Sequence, residues 1–187
     1  MGRIATETRL VAGLVLKVEI EKHCNRIQTE ILEFVKEKVL KAFYDKEINI
    51  RKIVNNIITT IVLKCGLVIW PNLMEFLFSA LNSPEVLIIE SGVDCLSKII
   101  DDSVKLFEYE GNRELLAALL PKLIELIPRL ELSSEARSQA LFTINILIFS
   151  LGSLLLPYLE SLYPVLLLNF ILIRLFYNLV VIRELLQ

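Results

Sequence analysis

The feature that most constrains this chain is a helix–turn–helix unit that returns about every forty residues. Asp45-Lys46-Glu47-Ile48-Asn49-Ile50-Arg51 reads as a short polar turn ending in an apolar–Arg pair. It joins a predicted helix over Glu30–Tyr44 to another over Asn49–Lys64. Asn82-Ser83-Pro84-Glu85 does the same between Trp70–Leu81 and Val86–Asp102, and Glu131-Leu132-Ser133-Ser134-Glu135 between Leu115–Leu130 and Ala136–Ser150. Asn169 marks a weaker break between Leu154–Leu168 and Phe170–Gln187. Near the start of each second helix stands Arg9, Arg51, Arg137 or Arg174, with Glu90 once in that place, at steps of 42, 39, 47 and 37 residues. An arginine there is placed to meet carbonyls or carboxylates of the neighbouring turn.

Within the stretches the apolar residues keep a helical period. Ile31, Leu32, Phe34, Val35, Val39, Leu40 and Phe43 recur at i, i+3, i+4 and i+8, and Ile53, Ile57, Ile58, Ile61 and Val62 repeat the pattern. The β-branched residues would suit a strand, but the runs are too long and do not alternate. Pro71, Pro121 and Pro157 are expected early in helices, where a missing N–H costs least. Pro128 and Pro164 are expected late, to kink or end them. A pair of helices with one apolar face cannot bury it alone, and stacked neighbours can. The period is that of HEAT and armadillo repeats, about 40–47 residues. The reading is therefore all-α: a HEAT-repeat superhelical solenoid of stacked antiparallel helix pairs, one array over residues 1–187. It has a lone leading second helix, Thr8–Ile20, and about four full pairs. The start inside a helical pattern predicts truncation at both ends. The uncapped last helix should then expose an apolar patch at Phe170, Leu172, Phe176, Leu179 and Leu186.

Charge and cysteines narrow the function classes. The net charge is −2, from 20 basic and 22 acidic residues, and most of the charge precedes residue 137. No basic field exists to follow phosphates, so nucleic acid is not an expected ligand. Cys24, Cys65 and Cys95 are odd in number and form no C-x-x-C. Neither a disulfide framework nor a metal site is expected, and a reducing compartment fits. His23 reads as a surface histidine. No phosphate-cradling, zinc-protease or nucleophile-elbow motif is present, so neither catalysis nor a cofactor is expected. The chain is 55% hydrophobic with a mean hydropathy of +0.60, and Ser138–Leu159 is an uncharged run of 22 residues. That run is long enough to span a membrane. An alternative reading is thus a membrane-associated helical protein with its last third inserted. Gly152, Pro157 and Pro164 interrupt the stretch, and the repeat register continues through it.

The best polar constellation lies on one predicted second helix. Glu90, Asp94, Lys98 (or Ser97), Asp101 and Asp102 share a face by their spacing. An acidic stripe there would receive a basic partner surface and speed encounter. The plainer reading is a solvated helix face. If Val86, Ile89, Val93, Leu96 and Ile100 face the neighbouring repeats, the carboxylates should be exposed, on the side of Asn55 or Asn56. Asn55-Asn56 with Thr59-Thr60 form a second polar group, although the threonines are better placed to bond back to their own helix. Trp70 reads as a packing anchor rather than a binding hot spot.

Several segments together resemble the amino-terminal repeats of the transportin family, beta-karyopherin import receptors of the importin beta-2 type. They are Thr8-Arg9 with Ala12-Gly13-Leu14-Val15-Leu16-Lys17; Ile57-Ile58-Thr59-Thr60-Ile61; Trp70-Pro71-Asn72-Leu73; Leu96-Ser97-Lys98-Ile99-Ile100-Asp101-Asp102-Ser103; Leu120-Pro121-Lys122-Leu123; and Ala136-Arg137-Ser138 with Asn145. Their order and spacing carry the resemblance over roughly residues 8 to 150. It implies a cytoplasmic and nuclear transport receptor whose first repeats bind a Ran-type small GTPase on their inner helices. Phenylalanine–glycine nucleoporins would bind on the outer face. The tentative GTPase-binding residues are then Asn55, Asn56, Glu90, Asp94, Lys98, Asp101 and Asp102. Repeats of the kind that hold a cargo's nuclear localisation signal have no counterpart here, so cargo binding is not expected of this chain alone.

Overall fold

The computed structural model describes residues 5–103 and 113–151, with residues 160, 163, 164 and 167 beyond them. Over residues 5–103 and 113–151 seven α-helices are described: α1 (Thr6–His23), α2 (Thr29–Ala42), α3 (Ile48–Cys65), α4 (Leu73–Leu81), α5 (Val86–Ser103), α6 (Arg113–Leu126) and α7 (Ser134–Leu151). Short 3₁₀ turns, Cys24–Arg26 and Leu67–Ile69, follow α1 and α3, and no strand occurs among the described residues.

The turns between paired helices are closed by the side chains that mark them in the sequence. The backbone N–H of Glu47 donates to Asp45 Oδ1 (2.9 Å), that of Glu85 to Ser83 Oγ (3.1 Å) and that of Ala136 to Ser133 Oγ (3.2 Å). A short polar side chain that accepts an orphan N–H is the usual opening of a helix. Turns this short reverse the chain, so α2 lies back on α3, α4 on α5 and α6 on α7. The second helices then stack in a row, α1 on α3, α3 on α5 and α5 on α7. The result is the expected all-α stack of antiparallel helix pairs.

Burial follows the apolar period. On α3, Ile50, Val54, Ile57, Ile58, Ile61 and Val62 are buried, and on α5 Ile88, Ile89, Val93, Leu96, Ile99 and Ile100. Leu73, Leu77 and Leu81 of α4 and Leu123 and Leu126 of α6 meet them, in one cluster that runs from Ile20 to Leu147. Trp70 is buried, as expected of an anchor. Lys36 is buried beside it, bonding Glu33 and the Ile69 carbonyl and lying over the Trp70 ring. α1 buries only Ile20 and leaves Val11, Leu14 and Val15 exposed.

The structure corrects three expectations. Cys24 and Cys65 are joined as a disulfide, with a Cα–Cα distance of 6.2 Å, where no pairing was expected. The reason is the repeat itself. The two cysteines are 41 residues apart, one repeat step, and each ends a second helix, so stacking places them side by side. Pro121 lies inside α6, which begins at Arg113, and not early in it. Pro71 precedes α4, in the turn after Trp70. Pro128 follows Leu126 and ends α6 as its missing N–H requires. Arg174, Pro157, the fourth helix pair and the apolar patch from Phe170 to Leu186 lie outside the described residues.

Candidate functional site

The recurring arginine position holds the stack together. Arg51 is buried at the start of α3. Its Nη1 donates to the carbonyls of Asp45 (2.7 Å) and Lys46 (3.0 Å), and its Nε to Ser91 Oγ on α5 (2.9 Å). Arg9, one step earlier, pairs with the Asp45 carboxylate. Glu90, which replaces arginine in the next unit, inverts the bond and accepts from the backbone N–H of Ser133 at 2.6 Å. The carbonyl and carboxylate partners are those the spacing predicts.

The same helix faces carry a second row. Asn55 is 1% exposed, and its Nδ2 donates to the Ser91 carbonyl (3.1 Å) and to Asp94 Oδ2 (2.8 Å). Lys98 Nζ also lies 2.8 Å from Asp94 Oδ2, and Gln139 Nε2 of α7 reaches Asp94 Oδ1 at 3.2 Å. Asp94 is thus a node where α3, α5 and α7 meet, with its side chain only 13% exposed. Around it Arg51, Asn55, Asp94 and Gln139 line a small cavity of ≈ 50 Å³. These bonds span 36 to 45 residues, one repeat each.

The expected acidic stripe therefore divides. Asn55 is buried, and Glu90 and Asp94 are partly covered and bonded across repeats, contrary to the expectation of exposed carboxylates. Helical spacing puts them on one face correctly. That face looks at the next second helix over most of its length, and a charge enclosed there must be paired. Only toward the end of α5 does the face emerge, where Asp101 and Asp102 are exposed. Thr59 and Thr60 are buried and donate to the carbonyls of Asn55 (2.9 Å) and Asn56 (2.7 Å), the back-bonding their position suggests.

Beyond the fasteners, the row of second helices opens into a groove of ≈ 520 Å³. Lys17 and Glu21 of α1 form one wall, Lys98 and Asp102 of α5 the other, and Asn56, Thr59 and Thr60 of α3 lie between. The groove carries both signs of charge rather than one. Of the sequence-predicted residues it gathers Asn56, Lys98 and Asp102. Asn55, Glu90 and Asp94 belong to the fasteners, and Asp101 is exposed without lining the groove. Lys17, Glu21, Ser91, Gln139 and the Cys24–Cys65 pair escaped sequence reasoning. A signal for them existed: partners separated by one repeat step are brought together.

Cys95 takes no part in this surface. Burial pushes its thiol well above the usual cysteine range, the neighbouring Asp94 charge adds to the rise, and Lys98 opposes it. No group of His, Cys, Asp and Glu side chains among the described residues is arranged to hold a metal ion. No described helix is long and apolar enough to cross a membrane, and most of the last third lies outside the described residues.

No protein-family model matches the chain. Individual relatives do. The chain is 32% identical to Transportin of Dictyostelium discoideum over 153 residues, which cover 82% of this chain and 16% of that protein. It is 29% identical to Transportin-1 of Homo sapiens over 154 residues, 82% of this chain and 17% of the relative. Importin subunit beta-2 of Schizosaccharomyces pombe is 32% identical over 146 residues, 76% of this chain and 16% of the relative. The chain thus spans about a sixth of the length of the curated relatives it matches. Repeat architecture and similarity agree, and the chain is a transportin-like array of HEAT-type helical repeats.

Proposed function

We propose that this chain is a binding scaffold of nucleocytoplasmic protein transport, and that the groove between α1, α3 and α5 receives a Ran-type small GTPase. The observation that carries the reading is the groove itself, lined by Lys17, Glu21, Asn56, Lys98 and Asp102 on successive second helices. Polar side chains of both signs on stacked rigid helices suit a folded protein surface, and complementary charge fixes its register. The similarity to transportins and importin beta-2 supports the transport role and a distribution between cytoplasm and nucleus. On the other layer, Ile31 and Phe34 of α2 are exposed apolar side chains, and they would offer phenylalanine–glycine nucleoporin segments an apolar contact. Cargo binding is not proposed for a chain that spans a sixth of its relatives.

The test is a titration of the chain with the GTP-bound GTPase at low and physiological salt, for wild type and for the Asp101→Lys/Asp102→Lys variant. Wild type should bind, and the double charge reversal should weaken binding at least about tenfold, equivalent to ~1.4 kcal/mol. It should also alter the salt dependence while the helical circular dichroism is unchanged. Equal affinity of the two proteins removes this end of α5 from the interface. Absence of binding by wild type overturns the assignment of the GTPase as partner.

A further inference from the structure

We propose that Cys24 and Cys65 form a reversible redox latch that sets the α1 wall of the groove. The inference rests on the groove reading given above for its effect on binding, but not for the latch itself. Cys24 continues the helical backbone of α1, with φ −46° and ψ −45°. Lys17, Glu21 and Cys24 stand at i, i+4 and i+7 and therefore share one side of that helix. Lys17 and Glu21 line the groove, and so do Leu63 and Lys64, the residues just before Cys65 at the end of α3. The disulfide thus ties the last turn of one groove wall to the last turn of the groove floor.

The placement suits a bond that is made and broken in the folded protein. Cys65 is half-buried, whereas Cys24 is only 9% exposed. A thiolate attack therefore starts at Cys65. The fold has other ties between the same helices: Ile20 is buried, Arg9 of α1 pairs with Asp45 ahead of α3, and Gly13 of α1 packs directly against Ile53 of α3. Beyond Ile20 the Cys24 end also rests on α3 through the 3₁₀ turn, and Ile27 packs against the core. Reduction accordingly loosens the last turn of α1 and the 3₁₀ turn without freeing them, and leaves the stack in place. Cys95 is enclosed in the core and stays out of the exchange.

The chemistry balances with common redox partners. Hydrogen peroxide takes two electrons from the two thiols, giving the disulfide and two waters. A dithiol of the thioredoxin type reverses it by exchange through a mixed disulfide, becoming a disulfide itself as Cys24 and Cys65 regain their protons. With the latch closed, the groove wall is preorganised, and a partner does not have to order it on binding. Oxidised chain should therefore bind the groove's partner about fivefold more tightly than reduced chain, or more, the lower end of ordinary coupling between sites.

The experiment uses the whole chain with two readouts. First, the chain is equilibrated in buffers of graded reduced and oxidised glutathione, quenched, and labelled with a maleimide in denaturant. Cys24 and Cys65 should gain label together across the series while Cys95 is labelled throughout. Amide exchange over residues 17–27 should quicken on reduction, with the centre of α3 unchanged. Cys24→Ser and Cys65→Ser should exchange at the reduced rate in every buffer. Second, affinity for the GTP-bound GTPase is measured for the oxidised chain, the reduced chain and Cys24→Ser. Two free thiols at all ratios, a disulfide that no buffer reduces, or exchange at 17–27 indifferent to reduction each overturn the latch. Equal affinities with a working latch overturn its control of the groove. No binding in any state, with a working latch, overturns the GTPase reading alone.

Discussion

Gly66 shows how much one residue carries where a second helix ends. It follows Cys65, takes φ +86° and ψ 151°, and its N–H donates to the Val62 carbonyl at 2.9 Å. No atom lies within 4 Å of where a Cβ would stand, so space is not the constraint. The backbone is: this region is almost closed to residues with a Cβ, at about 1–3 kcal/mol. Gly66→Ala should lower stability by about that amount, read as a reduced urea midpoint with an unchanged slope. A midpoint within error of wild type would show that the turn relaxes without strain. The glycine is visible in the sequence, but its positive φ is not, because α3 could equally have ended a residue earlier.

At the scale of the element, α4 and α5 approach closely because Gly92 stands in the middle of α5. A Cβ added there would meet Leu81 Cδ2 at 3.2 Å and Ala80 Cβ at 3.3 Å. Alanine is a tight fit that its better helix propensity partly offsets. Gly92→Val adds two further methyls against the end of α4 and should destabilise by about 1–3 kcal/mol. Thermal unfolding followed by circular dichroism checks this, and a valine variant as stable as wild type would mean that α4 moves aside freely. Element positions were largely legible. The predicted helices coincide with α2 to α7 within a few residues, since their apolar period and Asp or Ser turns are local signals. Pro121 was misplaced: it is the ninth residue of α6, past the first turn where a missing N–H costs least, although Asn112 just before Arg113 is a polar start signal in the sequence.

For the whole molecule the decisive bonds are those that join repeats. Asn55 of α3 holds the Ser91 carbonyl and Asp94 of α5, and Asp94 holds Gln139 of α7. Asn55→Ala leaves a buried carbonyl and part of a carboxylate without their donor, at about 1–3 kcal/mol. It should lower global stability and, as stacked repeats couple only to neighbours, broaden the unfolding transition. Asn56→Ala, one residue on and facing the groove, should change stability by no more than about 0.5 kcal/mol. Paired urea titrations separate the two; an Asn56 variant as destabilised as Asn55 would place both among the fasteners.

By itself the sequence determined the all-α class, the length of the repeat, the turns, the two-layer stack and the resemblance to transportins. Each rests on local periodicity or on residue order, which need no knowledge of what touches what. Only the tertiary structure decided which polar residues on a shared helix face are fasteners and which line a groove. Helical spacing places Glu90, Asp94 and Asp102 together, but the neighbouring second helix covers the first two and leaves the third exposed. The Cys24–Cys65 pair was decided in the same way. Its 41-residue separation is a repeat step, and it becomes a bond only when successive repeats stack in register.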